Sequence, residues 1–443
     1  MGLIDRWKKS GASSSEGAKG ENASGEGAQA GMGEGAHTGH AAAQEAAREH
    51  VTFLPPVRTA RGVPARALFI AGAVLFVAFF IGLVAWLNLT TVKVPLRPTG
   101  GSEFATATVD EVLSSDVETS EEGEMQGNQR VLLTVTSGRF NGQQVEATSP
   151  YSNNSGAYCE PGLHVVVLVN DGQGGSVTAT VYNYDRGIVL WALIALFAGL
   201  LCVVGGRSGT LSVAGLAFTF ACIFLLYLPL VYNGASPFWA AALTVVLVTV
   251  VGMYLIGGWS VKTFCSILGT VAGVLIAGVV ASIFGSVGHI SGLNVKDIET
   301  LAYVGQNSKL DVSGLLFSGI LISSLGAVMD IAMSVTSTIC ELHARNAKLG
   351  FRQLFSSGMT VGRDMMGTMS HTLILAFAGG AVTTLVVIYA YGMPFLEYWN
   401  RYDIGIDILR GLSGSIGIIL AVPFVSALTA FFLSRRKGEK AAE

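Results

Sequence analysis

The chain has 443 residues, 51% of them hydrophobic and only 13% charged, with a formal net charge of −3. Soluble domains carry about 25% charged residues, so the composition points to a membrane protein. The near-neutral balance removes any bias toward nucleic acid as a partner.

Residues 1 to about 60 are rich in Gly, Ala, Ser and Glu. Such a stretch cannot bury enough apolar surface to offset its ordering entropy, and it is expected to be a disordered cytoplasmic tail. Its start, MGLIDRWKK, offers at most one amphipathic turn. His37, His40 and His50 are too loosely spaced for a metal site.

A bilayer-spanning helix needs about 20 apolar residues. Eight runs qualify, at roughly 67–87, 187–204, 210–230, 238–256, 263–285, 313–339, 367–391 and 411–433. The first lies too far from the start for a cleaved signal and reads as a signal anchor. Placing the N-terminus inside puts Arg58, Arg61, Arg66, Arg207, Lys262, Arg345, Lys348, Arg352 and Arg363 on the cytoplasmic side, along with the basic tail at 434–443. The expected architecture is therefore mainly α: a polytopic transmembrane bundle of eight spans with both termini cytoplasmic, in a plasma membrane.

Between the first and second spans, residues 90–186 change to a period of two. ATATVDEVL, RVLLTVTSG, QQVEATSP, HVVVLVND and SVTATVYN read as five strands, with turns such as RFNGQQ and NDGQGGS between them. They predict a small extracytoplasmic β-barrel, OB-like in size. Its few strand aromatics and its acidic insert DVETSEEGE make a poor nucleic-acid surface. The five cysteines show neither a disulfide framework nor metal-ligand spacing.

The seven later runs, within 187–433, are expected to pack as one bundle. Helices in lipid associate through small residues, and Gly269, Gly273, Ala277, Ala281 and Gly285 recur at four-residue spacing as a smooth ridge. Pro423 is expected to bend the last span.

The sixth run carries an acid in its interior, Asp330. At 100° per residue, Gly319, Ser323, Gly326, Ser334, Ser337 and Glu341 fall within about 40° of it. A polar stripe of this kind is expected to be sheltered from lipid by neighbouring spans, facing protein or water. In the following segment Asp364 and His371 share a face, with Arg363 beside them at the inner surface. A cytoplasmic loop of about 27 residues is expected to join the two helices as antiparallel neighbours, bringing Asp330 and His371 to similar depth.

GAVMDIAMSVTSTICEL followed by GRDMMGTMSHTLILAFAGG resembles the signature region of the YibE/F-like family of bacterial multi-spanning membrane proteins. QRVLLTVTSGRFNGQQVEA and YNYDRG resemble that family's outer domain, so the likeness covers roughly residues 90–433. The family commonly carries Asn where this chain has His371. The resemblance implies a plasma-membrane protein and supplies no substrate.

Asp330, Ser334, Ser337, Glu341, Arg363, Asp364 and His371 are therefore the candidate residues for binding an ion or small solute in a secondary transporter. A scaffold or sensor whose outer domain binds a ligand or envelope partner is the alternative. No HExxH, GxSxG or phosphate-binding glycine loop is present, so no enzyme, metal or cofactor is expected. The expected partners are the lipid bilayer and the solute, and self-association into a homo-oligomer stays open.

Overall fold

The computed structural model describes residues 65–91, 101–119, 124–152, 155–171, 177–258, 260–296 and 298–440, the side chains of 65–77 and 436–440 excepted. The amphipathic start and the histidine tract of the first 60 residues lie outside the described residues.

After helix α1 (Ala65–Thr90) the chain enters six strands: β1 (Ser102–Ser115), β2 (Glu118–Thr119), β3 (Met125–Val135), β4 (Gln144–Tyr151), β5 (His164–Asp171) and β6 (Val177–Tyr184). The five predicted strands are all present, and the two-residue β2 is the addition. The sheet order is β1-β5-β6-β4-β3-β2, and β1 pairs with β3 as well as β5, so five strands close into a barrel. One seam, between β4 and β6, is parallel. Closure leaves few free edges.

Strand alternation sends one side of each strand inward. Ala105, Ala107, Val109, Val131, Leu133, Val135, Val145, Ala147, Val165, Val167, Val169, Ala179 and Val181 fill the barrel. Long β1 serves two neighbours by bending at irregularities between Val109 and Glu111 and between Val112 and Ser114, the use to which bulges are put in small barrels.

The remainder is helical: α2 (Gly187–Cys222), a π-helical turn (Ile223–Tyr227), α3 (Leu228–Tyr232), α4 (Pro237–Gly257), α5 (Val261–Val287), α6 (Ile298–Asn307), α7 (Leu315–Arg345), α8 (Phe351–Gly380), α9 (Val382–Ala390), α10 (Phe395–Trp399) and α11 (Tyr402–Lys440). Among the described residues five helical stretches are long and apolar enough to cross a membrane. The pair α8–α9, bent by 60°, makes a sixth if counted as one.

The stretch 187–232 is continuous in hydrogen bonding but not straight. Gly206 sits at φ 53, ψ −131, a conformation that suits glycine because it has no Cβ. The backbone of Gly209 then lies so close to the Leu201 carbonyl that a Cβ would overlap it. Residues eight apart in a straight helix are about 12 Å apart along the axis; this closeness means that the chain reverses at Gly206.

The core of the bundle lies between α5, α7 and α11. The predicted small-residue ridge is used there: Gly273 fits against Val328 of α7 and Ala421 of α11, Gly269 against Val425, and Gly285 against Phe317. Close approach of this kind gains dispersion contacts that larger side chains would forbid. Tyr227 Oη and Ser318 Oγ, both buried, lie 2.5 Å apart and tie the π-helical turn to α7.

The expected 27-residue loop after α7 does not exist. Residues 346–350 alone separate α7 from α8, which begins at Phe351 rather than near 367. The early part of α8 buries Leu354, Gly358 and Gly362. Arg352, Gln353, Ser356, Ser357, Thr360, Arg363 and Asp364 between them lower its mean hydropathy and hide a helix that is plain from its packing.

Candidate functional site

Helices α7 and α8 are neighbours whose register follows from two contacts. A Cβ at Gly358 would lie 2.5 Å from Ile339 Cδ1. A Cβ at Gly414 would lie 2.7 Å from Leu373 Cδ2 and 3.4 Å from Ser324 Cβ. Each step along α7 is thus matched by one step back along α8, as in an antiparallel pair, and Asp330 is level with Gly367. Asp364 and His371 sit three and four residues to either side, about 5 and 6 Å along the axis at 1.5 Å per residue.

This corrects the sequence-based position of Arg363 and Asp364. They are not at the start of a helix; twelve residues of α8 precede Arg363, so both belong to the same layer as Asp330. That layer lies midway along α7, with Asp330 fifteen residues from each end.

The direction of these side chains differs from expectation. Neighbouring spans do not enclose Asp330 within the single chain: it is exposed, as are Gly319, Ser323, Gly326 and Glu341 on the same stripe. Ser334 and Ser337 are half-buried. The reason lies in the opposite face, where Leu321, Leu325, Val328, Val335 and Ile339 take all the packing against the core. On α8, Arg363, Asp364, Gly367, Thr368 and His371 are likewise exposed, opposite Leu354, Gly358 and Gly362.

The side chains of Asp330, Arg363, Asp364 and His371 make no hydrogen bond or ion pair among the described residues. His371 lies about 6 Å along the axis from the level of Asp330 and is not joined to it. Glu341 is bonded to Arg345 at 2.8 Å, an exposed i,i+4 pair at the end of α7, and such pairs contribute little. Ser334 takes part only through its carbonyl, which accepts from Thr338 Oγ1 at 3.0 Å. No three His, Cys, Asp or Glu side chains come together to hold a metal ion among the described residues.

One set of polar groups escaped the sequence reading. Thr270 on α5, with Ser426 and Thr429 on α11, are buried, and among the described residues their hydroxyls find no hydrogen-bond partner. Buried hydroxyls ordinarily find a partner. The available signal was the three-residue spacing of Ser426 and Thr429 inside an apolar run, beside a helix with Ser266 and Thr270 among glycines.

No curated protein and no solved structure matches the chain. The model of the YibE/F-like protein family matches residues 193–435, more than half of the sequence and the whole of α7 and α8. The chain belongs to the YibE/F-like family.

Proposed function

We propose that the chain is a plasma-membrane permease for a small ion or solute, and that Asp330 is the group that meets the solute. Eight passes are proposed: α1, 187–205, 207–232, α4, α5, α7, the bent α8–α9 pair and α11. The reversal at Gly206 supports counting 187–232 twice. An even number returns both termini to one side, and the basic residues favour the cytoplasm for them. The outer barrel is read as OB-like. Its support is the closed strand order with one parallel seam between the third and last main strands.

The observation that carries the reading is that Asp330 stands half-way along a helix of spanning length, with Asp364 and His371 of the neighbouring helix about 5 and 6 Å to either side of its level. A carboxylate at such a depth costs about 3 kcal/mol in hydrocarbon, and intramembrane ionisable residues mark solute or proton pathways. Arg363 would set the charge at the inner side of the layer, with Ser334 and Ser337 as neutral ligands.

The test is flux into proteoliposomes, with and without a pH gradient, over a panel of inorganic ions and small metabolites. Asp330→Asn should abolish the flux while leaving the protein folded and inserted. If the wild-type protein moves nothing in the panel, the permease reading falls.

The open position of Asp330 on the single chain favours a second reading, a scaffold in which this face only docks another membrane subunit. In that case Asp330→Asn weakens association and no solute moves in either protein.

A further inference from the structure

We propose that the polar face of α7 and α8 is closed by a second copy of this chain, so that the Asp330 layer lies between two copies. The proposal deepens the permease reading by naming the partner of the same site; the association is testable without it.

The face runs along α7 from Gly319 to Glu341 and along α8 as far as His371, beyond which Ile374 and Leu375 are exposed and apolar; over that length it is unlike a lipid surface. Asp330, Asp364 and His371 stand on it at mid-helix, exposed and without bonds to one another. Lipid satisfies none of these groups, so something else must cover them. The lipid-compatible surface of this protein looks different: Ile188, Val189, Trp191, Leu193, Phe197 and Val203, all on the segment before Gly206, are 53–83% exposed and wholly apolar.

Three observations favour a second copy over another occupant. First, the face carries both signs, with the carboxylates of Asp330 and Asp364 against the guanidinium of Arg363, and is therefore complementary to itself. Second, a copy inserted in the same orientation presents its own layer at the same depth. Asp330 of one copy then meets the span from Asp364 to His371 of the other without any adjustment of tilt. Third, among the described residues nothing lies within 4 Å of where a Cβ would stand at Gly319, Gly326 and Gly367 on this face. Where helices of the single chain cross, by contrast, the glycines are filled by a neighbour: Gly273 by α7 and α11, Gly358 by α7 and α11, and Gly362 by α11. Open glycines beside polar groups are what close helix–helix association in membranes uses, and a twofold axis along the membrane normal gives an isologous, closed interface.

The experiment is subunit counting by single-molecule photobleaching of full-length, fluorophore-tagged protein in liposomes across a range of protein-to-lipid ratios. The wild type is expected to bleach in two steps at ratios where monomeric controls bleach in one. Gly326→Trp and Gly367→Trp meet open space on the single chain, so each leaves the fold intact by circular dichroism and melting. Each should nonetheless weaken association at least tenfold. Val279→Trp, on the exposed outer face of α5, should not. One-step bleaching of the wild type at every ratio overturns the proposal, and so does a two-copy assembly indifferent to both glycine variants. Flux from singly occupied liposomes also overturns it while leaving the permease reading intact. A glycine-sensitive pair that moves no solute supports the interface and removes the permease reading instead.

Discussion

The side chain of Gln129 brackets the backbone of Cys159. Its Oε1 accepts from the Cys159 N–H at 2.7 Å and its Nε2 donates to the Cys159 carbonyl at 3.3 Å. Both residues are buried, Gln129 to 1% exposure. The pair pins the loop between β4 and β5 to the end of the barrel. Gln129→Leu keeps approximate volume but strands an amide and a carbonyl in the interior, at a cost of about 1–3 kcal/mol. Pulse proteolysis of the full-length protein in urea should show the barrel cleaved at lower denaturant; an unchanged midpoint would show that the bracket contributes nothing.

The Cys159 thiol itself is held inside that bracketed loop, and burial pushes its pKa up. The thiolate is the reactive form. Maleimide at neutral pH should therefore label Cys159 slowly in the folded protein and fast in urea, as read by mass spectrometry of the peptide containing it. Equal rates would place the thiol in contact with solvent.

On the barrel's outer surface, Arg139 Nε donates to Glu103 Oε2 at 2.9 Å. That bond holds the Glu103 carboxyl below the usual carboxylate range, with the charge of Arg139 as a further cause. A folded pKa lower than the unfolded one means that the pair favours the folded domain above the unfolded carboxyl's range. The contribution fades as pH falls through the depressed folded value. A carboxyl chemical-shift titration should place the Glu103 midpoint below about 4.3, the ordinary glutamate value. Arg139→Gln should return it upward. No upward movement in the variant would rule out the ion pair as the cause.

At the helix crossing, Gly362 is buried and a Cβ there would overlap Val422 of α11. Gly362→Leu overpacks this contact and should lower stability by about 1–3 kcal/mol. Melting in detergent is the measurement. Gly199→Leu is the comparison, since nothing lies within 4 Å of a Cβ at that position, and its melting temperature should stay with the wild type.

The five main strands were legible because alternation survives where one face is buried; RVLLTVTSG and HVVVLVND give the inward residues directly. Even Gln129 was visible in principle, since it falls in phase with Val131, Leu133 and Val135 at an inward position. The identities of Asp330, Asp364 and His371 were also legible, because charge inside apolar runs stands out. Their common layer was legible only in part. Depth is counted from the start of a helix, and the first half of α8 has too polar an average to announce itself. The outward direction of Asp330 was not legible, because a stripe opposite a core looks the same in sequence whether it lines an inner path or the outside of a subunit.

The passage from β6 into α2 leaves almost no slack. Only Asp185 and Arg186 intervene; the Asp185 carboxylate accepts from the Gly187 N–H at 2.9 Å, and the Arg186 guanidinium lies 5.5 Å from the centre of the Tyr184 ring. The helix that follows is touched by little else until Gly206. The direction in which the barrel ends its last strand is therefore handed straight to that helix, and the turn at Gly206 is the first place along the chain where the heading changes.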